Sequence, residues 1–157
     1  MLVGAVGWIG HTPFSVYLQN LHNMVPIVQT LHIFAIAALF SSSAVIDLRV
    51  LRLLSKDRPL AAVFHRFEPG IWMGLPVLLL TGALLIVAEP GRALLAWQFW
   101  TKMTLILAGI AVTLLLRGMM KRTGADAVSP VPARALAVVS LLIWVAVIAA
   151  GRWIAYR

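Results

Sequence analysis

Four long apolar stretches constrain this sequence more than any other feature. They cover 26–48, 70–88, 99–116 and 135–154, and each is close to the ~20 residues that cross a bilayer as an α-helix. A helix is favoured because hydrocarbon offers no hydrogen-bond partner, so every backbone amide must bond within its own segment. The pattern predicts an all-α polytopic membrane protein whose four transmembrane helices form an up-down bundle.

Composition argues against the soluble alternatives. Apolar residues fill 62% of the 157 positions and the mean hydropathy is +0.97, more than a soluble domain of this size can bury. The net charge of +8 does not indicate nucleic-acid binding, because the basic residues flank the apolar stretches as topology signals do. The chain has no cysteine, which excludes disulfides, thiolate metal sites and covalent haem attachment. We therefore expect contact with a lipid bilayer and none with nucleic acid.

The distribution of lysine and arginine predicts the orientation. The first connection, 49–69, and the third, 117–134, are strongly basic, whereas the second carries only Arg92, with Lys102 just beyond it. Basic connections stay in the cytoplasm. We therefore expect a multi-pass protein of the bacterial inner membrane with both termini in the periplasm.

The N-terminal residues are expected to lie on the outer surface. The first ten residues are apolar but too few to span a bilayer, and they lack the basic start of a signal peptide. Pro13 and a polar run from Gln19 to Asn23 follow. This pattern predicts an interfacial segment over 1–25 and a four-helix transmembrane domain over 26–157.

Ionisable side chains inside the spans are the candidate functional residues, because each costs at least ~2.5 kcal/mol to insert. A rotation of about 100° per residue places Gln29, His32 and Asp47 on one face of the first span. His32, Lys102 and Arg152 lie at similar depths near the outer ends of three different spans. We therefore predict an outward-opening pocket with one imidazole and two cations, and with Gln29 beside it, as a binding site for a cofactor or an anion.

The same periodicity predicts the faces on which the helices pack. These faces carry small or hydroxyl-bearing residues that permit close approach. They are Gly70, Gly74 and Thr81 in the second span, Lys102, Gly109 and Thr113 in the third, and Ser140, Trp144, Val147 and Gly151 in the fourth.

Several short motifs resemble an uncharacterised family of small four-helix bacterial membrane proteins that carries only a domain-of-unknown-function label. The resemblance covers the chain from about residue 15. Its motifs are Val28-Gln29-Thr30-Leu31-His32-Ile33, Asp47-Leu48-Arg49, Thr81-Gly82, Lys102, and Gly151-Arg152-Trp153-Ile154-Ala155-Tyr156. That family is loosely similar to copper-resistance D proteins and to membrane cytochromes b, in which helix-borne histidines hold metal or haem. The resemblance therefore implies a four-helix fold, but this chain has no obvious second histidine at the level of His32.

These patterns leave three functions open and indicate no catalytic residues. The leading hypothesis is a membrane anchor or electron-relay subunit for a periplasmic redox partner, with b-type haem or quinone bound near His32. In this hypothesis His32, Lys102, Arg152 and Gln29 bind the cofactor, and His32 and His22 are the candidate metal ligands. The second is a small protein that binds or transports an anion or a metal ion along the polar stripe from Gln29 to Asp47. The third is a structural subunit of a membrane complex.

Overall fold

The computed structural model describes the backbone of residues 2–54, 57–123 and 130–155 and the side chains of 3–54, 57–119 and 131–153. Within these ranges the chain forms helices and no strand. In chain order the helices are α1 (Leu2–Gly10), α2 (Pro13–Asn20), α3 (Met24–Val50), α4 (Leu60–Ala88), α5 (Pro90–Leu94), α6 (Trp97–Thr123) and α7 (Pro130–Ala155).

Four of these helices are long and apolar enough to cross a membrane. The qualifying segments are Met24–Val50, Leu60–Ala88, Trp97–Met119 and Val131–Trp153. Large apolar side chains on their outer faces are exposed, among them Phe34, Leu80 and Leu142, as expected of surfaces that contact lipid. The predicted all-α fold with four membrane-spanning helices is confirmed.

The largest difference from the predicted helix bounds is at the start of α4. The helix begins at Leu60, whereas Pro69 and the charged residues before it indicated a connection up to residue 69. Pro69 and Pro76 both lie inside the helix, although proline removes one backbone hydrogen bond. Proline is tolerated in membrane helices because neighbouring groups satisfy the freed carbonyl. The first polar connection therefore shortens to 51–59.

Two helix pairs build the bundle. The α3 helix packs along α4 and the α6 helix along α7, and the two pairs join where α3 contacts α7. Apolar side chains from three helices fill the centre: Leu39, Ile46, Phe64, Ile71, Trp144 and Val147. The polar faces of α3, α4, α6 and α7 therefore turn toward one another inside the bundle.

Glycines allow the closest approaches between helices, as the periodicity predicted. A Cβ atom on Gly74 would lie 3.3 Å from the Cβ of Leu39, and one on Gly70 would overlap the Ser42 side chain. On the other pair, a Cβ on Gly109 would lie 3.1 Å from the Trp144 ring. A side chain at Gly74 would meet the backbone of α3, and one at Gly70 or Gly109 would require the Ser42 or Trp144 side chain to shift.

The short helices α1, α2 and α5 lie together at one end of the bundle, which we call the α5 end. The α1 helix packs against α5, and α2 packs against α4. Thr12 caps α2, since its side chain accepts a hydrogen bond from the Ser15 amide, and Pro13 occupies the first turn. The Ser15 hydroxyl donates to the Val87 carbonyl at 2.6 Å, which fastens α2 to the last turn of α4. With nine residues, α1 is about 14 Å long and too short to cross a bilayer.

A polar cluster joins α4 to α6 toward the opposite end. Glu68 forms an ion pair with Arg117, in which Glu68 Oε1 and Arg117 Nε are 2.8 Å apart. The same carboxylate oxygen accepts a hydrogen bond from the Trp72 indole at 3.1 Å. The Arg117 guanidinium also lies 5.9 Å from the centre of the Trp72 ring, within cation–π range. These contacts compensate Glu68, the acidic residue that the extended α4 carries into the bundle.

Candidate functional site

Three polar side chains form a connected chain inside the bundle near the α5 end. His32 of α3 lies between Thr81 of α4 and Lys102 of α6. Its Nδ1 is 2.7 Å from the Thr81 hydroxyl, and its Nε2 is 3.3 Å from the Lys102 ammonium. Measured along the helix axes, His32 lies about 12 Å from the start of α3 and Thr81 about 10 Å before the end of α4. Lys102 lies about 8 Å from the start of α6. Three helices therefore meet at one imidazole.

The hydrogen bonds assign the protons. The Thr81 hydroxyl donates to the Val77 carbonyl of its own helix at 2.6 Å, so its oxygen is left to accept from His32 Nδ1–H. The His32 Nε2 lone pair then accepts from the Lys102 ammonium, which has no lone pair of its own. The imidazole in this arrangement is neutral, and Thr81 fixes its tautomer and its ring orientation.

Two glycines make room for these side chains. A Cβ on Gly82 would lie 3.6 Å from the His32 ring, and one on Gly151 would lie 3.5 Å from the Lys102 nitrogen. Gly151 belongs to α7, so the fourth long helix also borders the site. Each of the four long helices thus contributes either a polar side chain or a bare backbone.

The site has an excess of positive charge. Among the described residues, Lys102 has no carboxylate partner; its hydrogen-bond contact is the neutral His32 ring. Glu89, the acidic residue nearest in depth, pairs with Arg92 at 3.3 Å. Burying a cation in a membrane without an anion is costly, so a group with a negative charge or an electron-rich oxygen would stabilise Lys102.

Gln98 is a site residue that the sequence reasoning missed. Its side chain is buried, and its Oε1 has no hydrogen-bond partner among the described residues. Gln98 precedes Lys102 by four positions, so the two side chains lie on the same face of α6, one turn apart. This spacing was the available signal, but a glutamine beside Trp97 at the start of a span is also typical of an interfacial residue.

The structure brings together two of the predicted cofactor-binding residues, His32 and Lys102. Arg152 follows Gly151 in α7 and is exposed. Gln29 is exposed on α3, and His22 is exposed before α3 begins, about ten residues ahead of His32. Within the described part of the chain, no group of three or more His, Cys, Asp or Glu residues could hold a metal ion.

The predicted polar stripe along α3 is divided. Between His32 and Asp47, the buried positions include the apolar Ala35 and Leu39, and Leu39 is only 1% exposed. Gly74 of α4 packs directly against Leu39, which closes this level of the bundle. The polar groups of α3 therefore form two separate patches, one at each end.

A small apolar cavity lies next to the site. It holds about 10 Å³, room for about one water molecule. Its lining residues come from α2, the start of α3 and the end of α4: Leu18, Met24, Val25, Val28, Leu84, Leu85 and Ala88. Val28 is one turn from His32, so the cavity and the polar chain share one region of the α3–α4 interface.

The chain belongs to DUF6644, a family of unknown function whose sequence profile matches residues 3–157. The predicted membership of an uncharacterised family of membrane proteins is thereby confirmed. No curated protein and no solved structure matches the chain. The looser resemblance to copper-resistance D proteins and membrane cytochromes b remains a prediction.

Proposed function

We propose that this protein is a membrane subunit that binds a quinone at the Thr81–His32–Lys102 site and anchors a periplasmic redox partner. The observation that carries the proposal is the Lys102 ammonium, which lies inside the bundle against a neutral imidazole and has no carboxylate partner among the described residues. A quinone is an uncharged molecule that dissolves in the hydrocarbon of the bilayer, and its carbonyl oxygens accept hydrogen bonds. It can therefore accept a hydrogen bond from Lys102 without bringing a buried anion.

The neighbouring groups suit a quinone headgroup. Gln98 offers a buried amide one turn from Lys102, and Gly82 and Gly151 make room for the His32 ring and the Lys102 side chain. The apolar cavity beside Val28 adjoins the site but has room for about one water molecule, so a headgroup would have to displace neighbouring side chains to enter there. Quinones carry two electrons and two protons between membrane proteins. The residues of this chain would position the headgroup and shield it from water, and the partner would exchange the electrons.

A b-type haem fits these residues less well. Both ring nitrogens of His32 already contact side chains, and iron ligation at Nε2 would require Lys102 to leave. The other three histidines do not reach this level: His11 and His22 lie in the segment before α3, and His65 lies near the opposite end of α4. A haem held by two histidines of one chain would need a second histidine beside His32.

The orientation that the proposal needs rests on charge. The connection between α3 and α4 and the segment between α6 and α7 are both rich in lysine and arginine. The positive-inside rule then places the α5 end in the periplasm, where α1, α2 and α5 would meet the partner. The exposed aromatic side chains of Trp8, Phe14 and Tyr17 at this end would contact lipid headgroups or that partner.

The direct test is to purify the protein in mild detergent, extract it with organic solvent and quantify the quinone by chromatography. We expect bound quinone in the wild type and a large loss in Lys102→Met and His32→Gln, with folding monitored by gel filtration. His65→Gln is the matched control, because His65 is exposed near the other end of α4. A Soret band in place of quinone would instead assign haem. Absence of both from the folded wild type, even after quinone is added back, would leave a structural subunit.

One observation favours a second candidate, which is binding of a small anion. Gly151 borders Lys102, and the residue that follows it, Arg152, is a second basic residue next to the site in the sequence of α7. If an anion is the ligand, added phosphate or sulfate should raise the melting temperature of the wild type and have a weaker effect on Lys102→Met. A stabilising effect of quinone that is indifferent to these anions favours the first proposal.

A further inference from the structure

A second buried polar cluster lies in the half of the bundle away from the α5 end, and neither the quinone nor the anion proposal uses it. Its centre is Asp47 of α3, whose side chain is 1% exposed. The Ser43 hydroxyl, one turn earlier, donates to Asp47 Oδ2 at 3.3 Å. Ser140 of α7, also 1% exposed, lies beside the same carboxyl group. The cluster therefore links α3 to α7, the two helices that join the halves of the bundle.

Ser140 brings a second hydroxyl group to the cluster. Its Oγ is buried and completes no hydrogen bond with the described residues. A buried polar group without a partner costs about 1–3 kcal/mol. A serine hydroxyl can donate to either form of a carboxyl group, and it can accept only from the protonated form.

No described cation compensates a charge on Asp47. Arg49 on the same helix directs its guanidinium to the Arg58 carbonyl. On α4 and α6, Glu68 and Arg117 pair with each other. The remaining charged residues on the facing parts of α4 and α7 have exposed side chains: His65, Arg66 and Arg134. An ionised carboxylate in this position would be a buried, uncompensated charge, which costs several kcal/mol in proteins.

We propose that Asp47 is a proton-binding site whose carboxyl group is protonated in the folded protein. The neutral carboxyl group accepts from Ser43 and can exchange a hydrogen bond with Ser140 in either direction. A metal cation fits this cluster less well than a proton does. Only three residues of the cluster offer side-chain oxygen atoms, whereas hard cations such as Mg²⁺ and Ca²⁺ take about six or more oxygen ligands. This site is independent of the quinone proposal.

The proton gives the α3–α7 contact a defined chemistry. While Asp47 holds it, the two helices are bonded through a neutral acid. Loss of the proton would leave a carboxylate that can only accept hydrogen bonds. It would also leave a charge in the bundle, which favours entry of water from the nearby end.

Infrared spectroscopy tests the proposal through the carbonyl stretch of a protonated carboxylic acid. At neutral pH the wild type in detergent or lipid nanodiscs should show one such band, and Asp47→Asn should remove it. The matched control is Asp57→Asn, because Asp57 is an exposed acid in the connection between α3 and α4. Asparagine is neutral and nearly the same shape as a protonated aspartic acid, so the variant should stay folded. A wild type without the band, or a band that survives in Asp47→Asn, would overturn the proposal.

Two further measurements keep the test decisive. Ser140→Ala removes a hydroxyl group beside the carboxyl group and should shift the band to higher frequency, whereas Ser41→Ala should not, because Ser41 is exposed and bonds within its own helix. The melting temperature should be the same when choline replaces Na⁺. Stabilisation by Na⁺ that disappears in Asp47→Asn would mean that Asp47 binds a metal cation, and the proton assignment would be wrong.

Discussion

Replacement of Gly74 by leucine should separate α3 from α4 and destabilise the bundle. The Cβ of any residue at this position would lie 3.3 Å from the Leu39 Cβ and 3.4 Å from the Ala35 carbonyl oxygen. Ordinary carbon–carbon contacts lie at about 3.5–4.0 Å, so the first added atom is already too close. Leucine adds three more carbon atoms beyond Cβ, and the opposing atoms belong partly to backbone, which cannot rotate away.

The magnitude follows from comparison with a second glycine. Gly118 of α6 has no atom within 4 Å of its would-be Cβ. Both substitutions gain roughly 0.8–1 kcal/mol of helix propensity, so this contribution cancels when the two variants are compared. Overpacking costs about 1–3 kcal/mol, and contact with backbone favours the upper part of that range. We therefore expect Gly74→Leu to be about 2–3 kcal/mol less stable than Gly118→Leu.

The assay is reversible unfolding in mixed micelles, followed by helical circular dichroism as the denaturing detergent increases. Gly4→Leu is an additional control, because Gly4 also has no atom within 4 Å of its would-be Cβ. Gly74→Ala should lie between the wild type and the leucine variant, since only Cβ is added. Equal stability of Gly74→Leu and Gly118→Leu would mean that α3 and α4 do not pack through Gly74, and the helix pairing described above would be wrong.

Three other predictions concern orientation, the N-terminal helices and the polar site. Reporters fused after Arg157 or within residues 90–96 should be active in the periplasm, and a reporter fused near Gly124 should be active in the cytoplasm. The reverse pattern would contradict the orientation that the positive-inside rule predicts. Ser15→Ala removes the bond to the Val87 carbonyl and should speed amide hydrogen exchange over Pro13–Asn20, whereas Ser41→Ala should leave that exchange unchanged. Thr81→Val removes the hydrogen-bond partner of His32 Nδ1. The free energy of unfolding, measured in mixed micelles, should fall by about 0.6 kcal/mol and at most by about 1.7 kcal/mol. No loss of stability, or an equal loss in a His32→Ala background, would show that the two residues are not coupled.

Periodicity predicted the packing faces well because a membrane helix offers a simple choice between lipid and protein. Ser140, Trp144 and Val147 share one face of α7 and are all buried. Lys102 and Thr113 likewise lie on the inner face of α6, with Thr113 7% exposed. Lipid accepts apolar side chains as readily as the protein interior does, so the polar and small residues mark the inner face more reliably than the apolar ones.

Helical periodicity was a poorer guide where the exposure of a residue depends on whether a neighbouring helix covers it, and not only on the face of the helix that carries it. Gln29 lies on the arc that includes Ser43 and Asp47, yet it is exposed because the α5 end of α3 is less completely covered. The Thr81 hydroxyl was predicted as a packing group, and its bond to His32 depends on the relative height of two helices, which one sequence does not specify. The start of α4 was missed because Pro69 has the appearance of a boundary, while membrane helices accommodate proline.

Photolabelling with an azido-quinone tests the central claim most directly, because it reports where a quinone binds rather than whether one is present. The protein in lipid nanodiscs would be labelled, digested and mapped by mass spectrometry. We expect labels close to Lys102 and His32, competition by excess unlabelled quinone, and a large decrease in Lys102→Met but not in His65→Gln. Labels spread over the lipid-facing surfaces of all four long helices, with no competition and no effect of Lys102→Met, would contradict the quinone site.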